Sequence, residues 1–140
     1  MYCFGGVDNK SQDPSVFISL RSIETLSLLE ESKEWEVLKL TLPNKTSSPG
    51  AISLGHRAFV VFGGWHRVTI KKSVIIREAQ DGEGYAAEEI EDMSQEDTFV
   101  SNGYSNRNAE SKEIIVFGTN YVHKYHQNTK KISLVGSWVD

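Results

Sequence analysis

The sequence predicts an all-β protein, and three observations carry that prediction. Short apolar or alternating runs, rich in Val, Ile and aromatic residues, recur along the whole chain. Gly, Ser, Asn and Asp separate them, as turn residues separate strands. No window sustains the 3.6-residue apolar period of a long helix. Ala86 to Met93 offers one short helical turn or two at most.

In chain order, the expected strands are Tyr2–Phe4, Val16–Leu20, Ile23–Leu28, Trp35–Leu40, Ala51–Leu54, Ala58–Phe62, Val74–Ile76, Ile114–Phe117, Tyr121–Tyr125 and Ile132–Val135. The first ends on Gly5-Gly6. Leu28 closes a strand, the polar stretch Glu30 to Glu34 turns, and Trp35 opens the next strand. After Leu42-Pro43 and a loop, Gly50 to Leu54 leads through Gly55-His56 into the run that ends on Gly63-Gly64. Tyr125, the turn His126 to Lys130 and Ile132 repeat the Leu28-to-Trp35 pattern at the same seven-residue spacing.

The chain has 140 residues, one ordinary domain's length at most. Fifteen basic and nineteen acidic side chains give a net charge of -4, and the pI is near 5.6. An acidic balance argues against nucleic acid or an anionic membrane as partner. With 39% apolar residues and a mean hydropathy of -0.37, the composition suits a folded, somewhat polar chain. The longest apolar run, Ala58 to Phe62, falls far short of the roughly 20 residues of a transmembrane helix. Cys3 is the only cysteine, so no intrachain disulfide forms. The chain starts strand-like at Met1, without the pattern of a signal peptide. The expected location is the cytoplasm, with the sequons at Asn9 and Asn44 unused.

Charge is unevenly spread. Residues 78–97 hold nine carboxylates and no Lys or Arg, which leaves the rest of the chain at +5. Such a block reads as a solvated, exposed insertion, or else an electrostatic docking element. Deleting residues 80–96 is then expected to leave the fold intact.

The chain is internally repetitive. Tyr2-Cys3-Phe4-Gly5-Gly6, Phe59-Val60-Val61-Phe62-Gly63-Gly64 and Ile114-Ile115-Val116-Phe117-Gly118-Thr119 align, their final phenylalanines 58 and 55 residues apart. Strand-end glycines allow close approach and positive φ where sheets converge.

In these features the sequence resembles the kelch repeat family, whose pattern is a small-residue strand, a second strand ending in two glycines, a third ending in tyrosine, and a tryptophan opening the fourth. By that resemblance Gly50–Leu54 is an innermost strand, Arg57–Gly64 a second, Ile23–Leu28 a third and Trp35–Leu40 a fourth. Gly5, Gly6, Gly63, Gly64, Gly118, Trp35 and Tyr125 are the structural repeat residues. The resemblance implies one kelch-repeat region over 1–140, in approximate repeats 1–49, 50–97 and 98–140, built as blades of an incomplete β-propeller. Leu28 stands in place of the usual tyrosine, Ile132 in place of tryptophan, and Thr119 breaks the third glycine pair. Val74 to Arg77 serves as the middle repeat's third strand, Tyr85 is a candidate replacement for its missing tryptophan, and the acidic stretch falls where its outer hairpin belongs.

Catalytic chemistry does not assemble. His123 and His126 are three apart on a strand and face opposite sides, which disfavours chelation of one metal. Phosphate-binding loops and a Gly-x-Ser-x-Gly elbow are absent from the sequence. Cys3 reads as buried in a strand. Catalytic residues, metal and cofactor are accordingly assigned to none.

Trp35 and Trp138 read as core-packing residues. Trp65 directly follows Gly64 and, with His66, Arg67, Lys71 and Lys72, forms a basic aromatic cluster in the loop to the third strand. Trp and Arg are favoured at interface hot spots, which makes these five the candidate partner-binding residues.

The expected function is a noncatalytic protein-interaction module. The kelch resemblance implies that loops between second and third strands, and between fourth and first, share one face. Here these are Val7–Ser15, Trp65–Lys72, Thr41–Pro49 and the acidic stretch ending near Asp97. The alternatives are a structural subunit that completes a larger complex, and a fragment of a copper-oxidase-like enzyme, for which His56 has no second ligand. The partner is a protein rather than nucleic acid or membrane. Two full repeats and part of a third do not close a propeller, so self-association or completion by other subunits is expected.

Overall fold

The computed structural model describes residues 1–8, 17–29, 34–99, 103–105 and 112–138, the segment 103–105 by its backbone alone. Among them the secondary structure is all β and all pairing is antiparallel, with no helix. No helix among them is therefore long and apolar enough to cross a membrane.

The first sheet holds β1 (Tyr2–Phe4), β4 (Ile23–Leu26) and β5 (Trp35–Val37), in that spatial order. A two-stranded ribbon of β2 (Val7–Asp8) and β3 (Ile18–Ser19) leaves it between β1 and β4. The second sheet is a four-stranded meander of β6 (Gly50–Gly55), β7 (Ala58–Phe62), β10 (Ser73–Glu78) and β11 (Tyr85–Ile90). It too sends out a ribbon between its second and third strands, made of β8 (Trp65–His66) and β9 (Val68–Thr69). The third sheet is the meander β12 (Gly103–Ser105), β13 (Glu113–Phe117), β14 (Tyr121–His126) and β15 (Lys131–Ser137). Small antiparallel meanders of this kind are consistent with the blades of an incomplete propeller.

The three segments that end in glycine occupy equivalent positions. Gly5 N donates to Ser22 O at 2.9 Å, Gly63 N to Lys72 O at 3.0 Å, and Gly118 N to Tyr121 O at 2.9 Å. The chain leaving each outer strand then folds back over the same place. Leu42 N donates to Arg21 O, Met93 N to Lys71 O and Trp138 N to Asn120 O, at 2.8, 2.8 and 2.9 Å.

The core has two compartments, one on each face of the second sheet. Ile23 and Leu42 pack with Val61, Val74 and Ile76 on one side. Met93, Phe99, Ile114, Val116, Tyr125 and Ile132 pack with Ile52, Val60, Phe62 and Ile75 on the other. A strand buried on both faces has no solvent side to alternate toward, which is why Phe59–Phe62 and Val74–Ile76 are unbroken apolar runs.

Most of residues 78–97 are exposed, as expected, but the stretch is not a plain loop. Tyr85–Ile90 pairs with β10 along its whole length, from Ser73 opposite Ile90 to Glu78 opposite Tyr85. Of the short helical candidate Ala86 to Met93, Ala86–Ile90 is strand for the same reason, and residues 91–93 are neither helix nor strand. Several of the carboxylates are met by cations from elsewhere in the chain. Arg57 meets Glu78 at 2.8 Å, Arg77 meets Glu88 at 2.9 Å, Lys131 meets Glu91 at 2.7 Å, and Lys130 also reaches Glu88. Asp97 is fully buried, and Met93 belongs to the core. Removing 80–96 would strip an entire strand from the second sheet.

Three side chains expected inside are outside, Cys3, Trp35 and Trp138, and register explains the first two. Cys3 pairs with Glu24, and Glu24 with Val37. Partners across a ladder share a face. Tyr2 and Phe4, on the opposite face, pack on Phe59 with ring centroids 4.4 and 5.4 Å apart. Cys3, Trp35 and Val37 therefore point away from the second sheet, and Trp35 is 47% exposed. Trp138 is exposed as well, stacked on Phe117. Tyr125, by contrast, is a core residue opposite Ile114 and Ile132.

Candidate protein-binding surface

The loop from Trp65 to Lys72 folds into the β8–β9 ribbon because Arg67 takes a left-handed φ of 61° at its tip. Ile70 N donating to Gly64 O at 2.9 Å closes it. The ribbon is docked on the connector between the first two sheets. Trp65 N donates to Ser47 O and Ser47 N to Trp65 O, both at 2.9 Å. Ser47 Oγ adds a bond to Trp65 O at 3.1 Å, and Ser19 Oγ reaches the same oxygen from β3 at 3.4 Å. On its other side the connector binds the first ribbon's base, through Thr46 N to Leu20 O and Gly6 N to Thr46 O, both at 2.9 Å. Both ribbons and the connector thus form one hydrogen-bonded face.

Gly64 is required for this docking. A Cβ there would lie 2.1 Å from Thr46 Oγ1, and its φ is 94°. Thr46 is itself buried and donates to Gly63 O at 3.1 Å.

The face presents apolar side chains to solvent. Trp65 is 39% exposed and Val68 68%, and Val7, Phe17 and Ile18 are exposed on the first ribbon. Of the segment Val7–Ser15, residues 9–15 lie outside the described residues. The basic cluster is divided. His66 and Arg67 stay on the ribbon with no carboxylate partner among the described residues. Lys71 and Lys72 turn to the former acidic block, meeting Glu96 at 3.8 Å and Asp92 at 3.1 Å. Arg21 and Lys45 join the face instead, lining a groove with His66 and Lys72.

The structure also brings together a pair that sequence reasoning missed. The second connector carries Asp97, which sits where Thr46 sits in the first: Gly64 N donates to Asp97 O at 2.9 Å. Its carboxylate accepts from the backbone N–H of Thr98, Asn120 and Tyr121 at 2.8, 3.2 and 3.0 Å. His123 Nε2 lies 3.3 Å away, and both side chains are fully buried. Burial pushes His123 below the ordinary histidine range, opposed by Asp97. Gly118 leaves the room, since a Cβ there would meet Asp97 Oδ2 at 2.1 Å. This pair acts as a pin between the connector and the third sheet. The parity of β14 was the available signal for His123, two residues from Tyr125 on the buried face. Asp97 had none.

The remaining histidines stay apart. His56 occupies the β6–β7 turn with a φ of 47°, and His126 contacts Glu113 and Ser133 on the outer face of the third sheet. Among the described residues no three His, Cys, Asp or Glu side chains gather as metal ligands. No protein-family model matches the chain, and no curated protein matches it.

Proposed function

We propose that this chain is a noncatalytic protein-interaction module of the kelch type, acting in the cytoplasm, that binds a partner protein through the face built by β2–β3, β8–β9 and their connector. One observation carries the reading. Val7, Phe17, Ile18, Trp65 and Val68 are exposed on a frame whose backbone groups are tied to one another. Exposed apolar groups rimmed by polar ones mark interaction sites, and a pre-tied frame loses little entropy on binding. Trp65 and Arg67 supply the residue types that dominate interface energetics.

The test is affinity capture with crosslinking, comparing the wild-type chain with Trp65→Ala, Val68→Asp and Phe17→Asp. A protein bound by wild type and lost from all three variants, at unchanged melting temperature, supports the reading. An unchanged partner set in all three overturns it.

A structural-subunit reading is favoured by a different observation. The outer face of the first sheet exposes Trp35 and Val37, and β15 with its extension exposes Leu134, Val135 and Trp138. These are surfaces that another copy or another subunit would cover. Sedimentation at micromolar concentration tests it, a stable 15.7 kDa monomer counting against it.

A further inference from the structure

Between the β8–β9 ribbon and the segment Leu42–Lys45 runs a groove of about 470 Å³. Its rim carries Arg21, Lys45, His66 and Lys72, and no carboxylate lines it among the described residues. Pro43, Val68 and Ile70 add apolar lining. We propose that this groove binds an extended acidic peptide segment of a partner protein, in which carboxylates alternate with apolar side chains. This rests on the interaction-module reading and names the partner's chemistry.

Charge selects the occupant. The Lys45 ammonium, His66 and the neighbouring Arg67 have no acidic partner among the described residues, although the chain as a whole is acidic. Arg21 is held in place by its Nε, which donates to Leu42 O at 2.6 Å. A cationic rim with apolar lining recognises carboxylates and aliphatic groups on one strand.

The backbone adds a second element. Trp65 spends its N–H and C=O on Ser47, and Ile70 N bonds Gly64 O, so Trp65 and Thr69 form a non-hydrogen-bonded pair. The N–H and C=O of Thr69 therefore project away from β8, and Thr69 lines the groove. A strand edge of this kind accepts an added extended chain. Lys72 and Lys71 already meet Asp92 and Glu96, so the positive charge of the rim is spaced rather than dense, which suits separated carboxylates better than a continuous polyphosphate chain.

Fluorescence anisotropy with a labelled peptide of alternating Glu and Leu tests the proposal. The controls are a Lys-Leu peptide, a Gly-Ser peptide and oligothymidine. The Glu-Leu peptide is expected to bind at least about tenfold more tightly than any control, and to weaken at least about threefold as NaCl rises from about 50 to about 300 mM. Lys45→Glu combined with Arg67→Glu should reduce its affinity more than about tenfold. Lys112→Glu, a charge reversal just before β13 of the third sheet, should leave it unchanged. Both variants alter exposed side chains, and their melting temperatures verify folding. Equal binding of the Gly-Ser peptide, tighter binding of oligothymidine, or equal loss in Lys112→Glu overturns the proposal. Failure of the peptide while Val68→Asp still abolishes a natural partner refutes the acidic-peptide assignment alone. An unchanged partner set refutes the interaction face itself.

Discussion

Asp97 Oδ2 lies 3.3 Å from His123 Nε2 with both side chains sealed from solvent, and three backbone N–H groups converge on the same carboxylate. The connector between the second and third sheets is thereby fastened to the start of β14. Truncating Asp97 leaves those donors and His123 without their acceptor. Asp97→Ala is expected to cost about 3 kcal/mol in urea unfolding, and Asp97→Asn, which keeps one acceptor oxygen, clearly less. Equal stability of Asp97→Ala and wild type would contradict the pin.

The same pair sets a pH dependence. Among the described residues His123 Nδ1 has no hydrogen-bond partner, so a second ring proton would be buried unsatisfied. Burial holds the folded pKa below the ordinary 6.5. In the unfolded chain histidine takes up a proton near pH 6.5, while the folded chain resists it. The unfolded state then binds more protons, and stability falls as pH falls. The contribution of His123 is complete above about pH 6.5 and declines below it, down to the folded pKa, by at most about 1.4 kcal/mol per pH unit. His123→Gln should flatten stability against pH in that window. An identical slope in the variant would show that His123 does not titrate between the states.

Gly118 and Asp97 are coupled by space. The missing Cβ of Gly118 would fall on the carboxylate oxygen, so Gly118→Ala must displace Asp97 from its donors. We expect Gly118→Ala to cost about 2 kcal/mol in the wild type and much less in an Asp97→Ala background. Additive costs in the double variant would place the damage elsewhere. Gly64→Val should cost about 1 kcal/mol or more by a separate route, its φ and its approach to Thr46.

Much of this architecture was legible. Phe59–Phe62 and Val74–Ile76 announce strands through unbroken apolar runs, and the glycine pairs mark where those strands end. β3 falls inside the expected strand Val16–Leu20, but β2, β8 and β9 were not legible, because two-residue strands leave no period to read. β11 was hidden by charge. Glu88 lacks a cationic neighbour in sequence, but Arg77 and Lys130 reach it across strands and sheets, as Arg57 reaches Glu78 and Lys131 reaches Glu91 on either side of the strand. Trp35 misled because residue type says nothing about which face a ladder turns outward. Of the interaction face, Trp65, His66 and Arg67 were visible in the sequence. Arg21 and Lys45 were not, since only the folded connector brings them to the ribbon.

Residues 85–90 should behave as a strand in hydrogen exchange. Paired with β10 throughout, alternate amides of Tyr85–Ile90 are expected to exchange slowly, as are those of Ser73–Glu78. Deleting 80–96 should abolish cooperative unfolding, because it exposes β10 and removes Met93 from the core. Each ion pair across this strand is exposed, so reversing Lys131 should shift stability by no more than about 0.5 kcal/mol. Fast exchange throughout 85–90 would refute the pairing.

Cys3 reports on the open face of the first sheet. Its thiol is exposed, yet partial burial and the neighbouring Glu24 raise its pKa above the ordinary thiol value. The thiolate is the reactive form. Native protein should therefore react with iodoacetamide at neutral pH, but more slowly than a free cysteine, with a rate that climbs as pH rises toward the thiol pKa. Glu24→Gln removes the nearby negative charge and should speed the reaction. Should another copy cover this face, labelling would slow as protein concentration rises, and Val37→Asp would restore the monomer's rate. Protection at every concentration, with full reactivity only in denaturant, would show that Cys3 lies on the inner face and that the register pairing Cys3 with Glu24 is wrong.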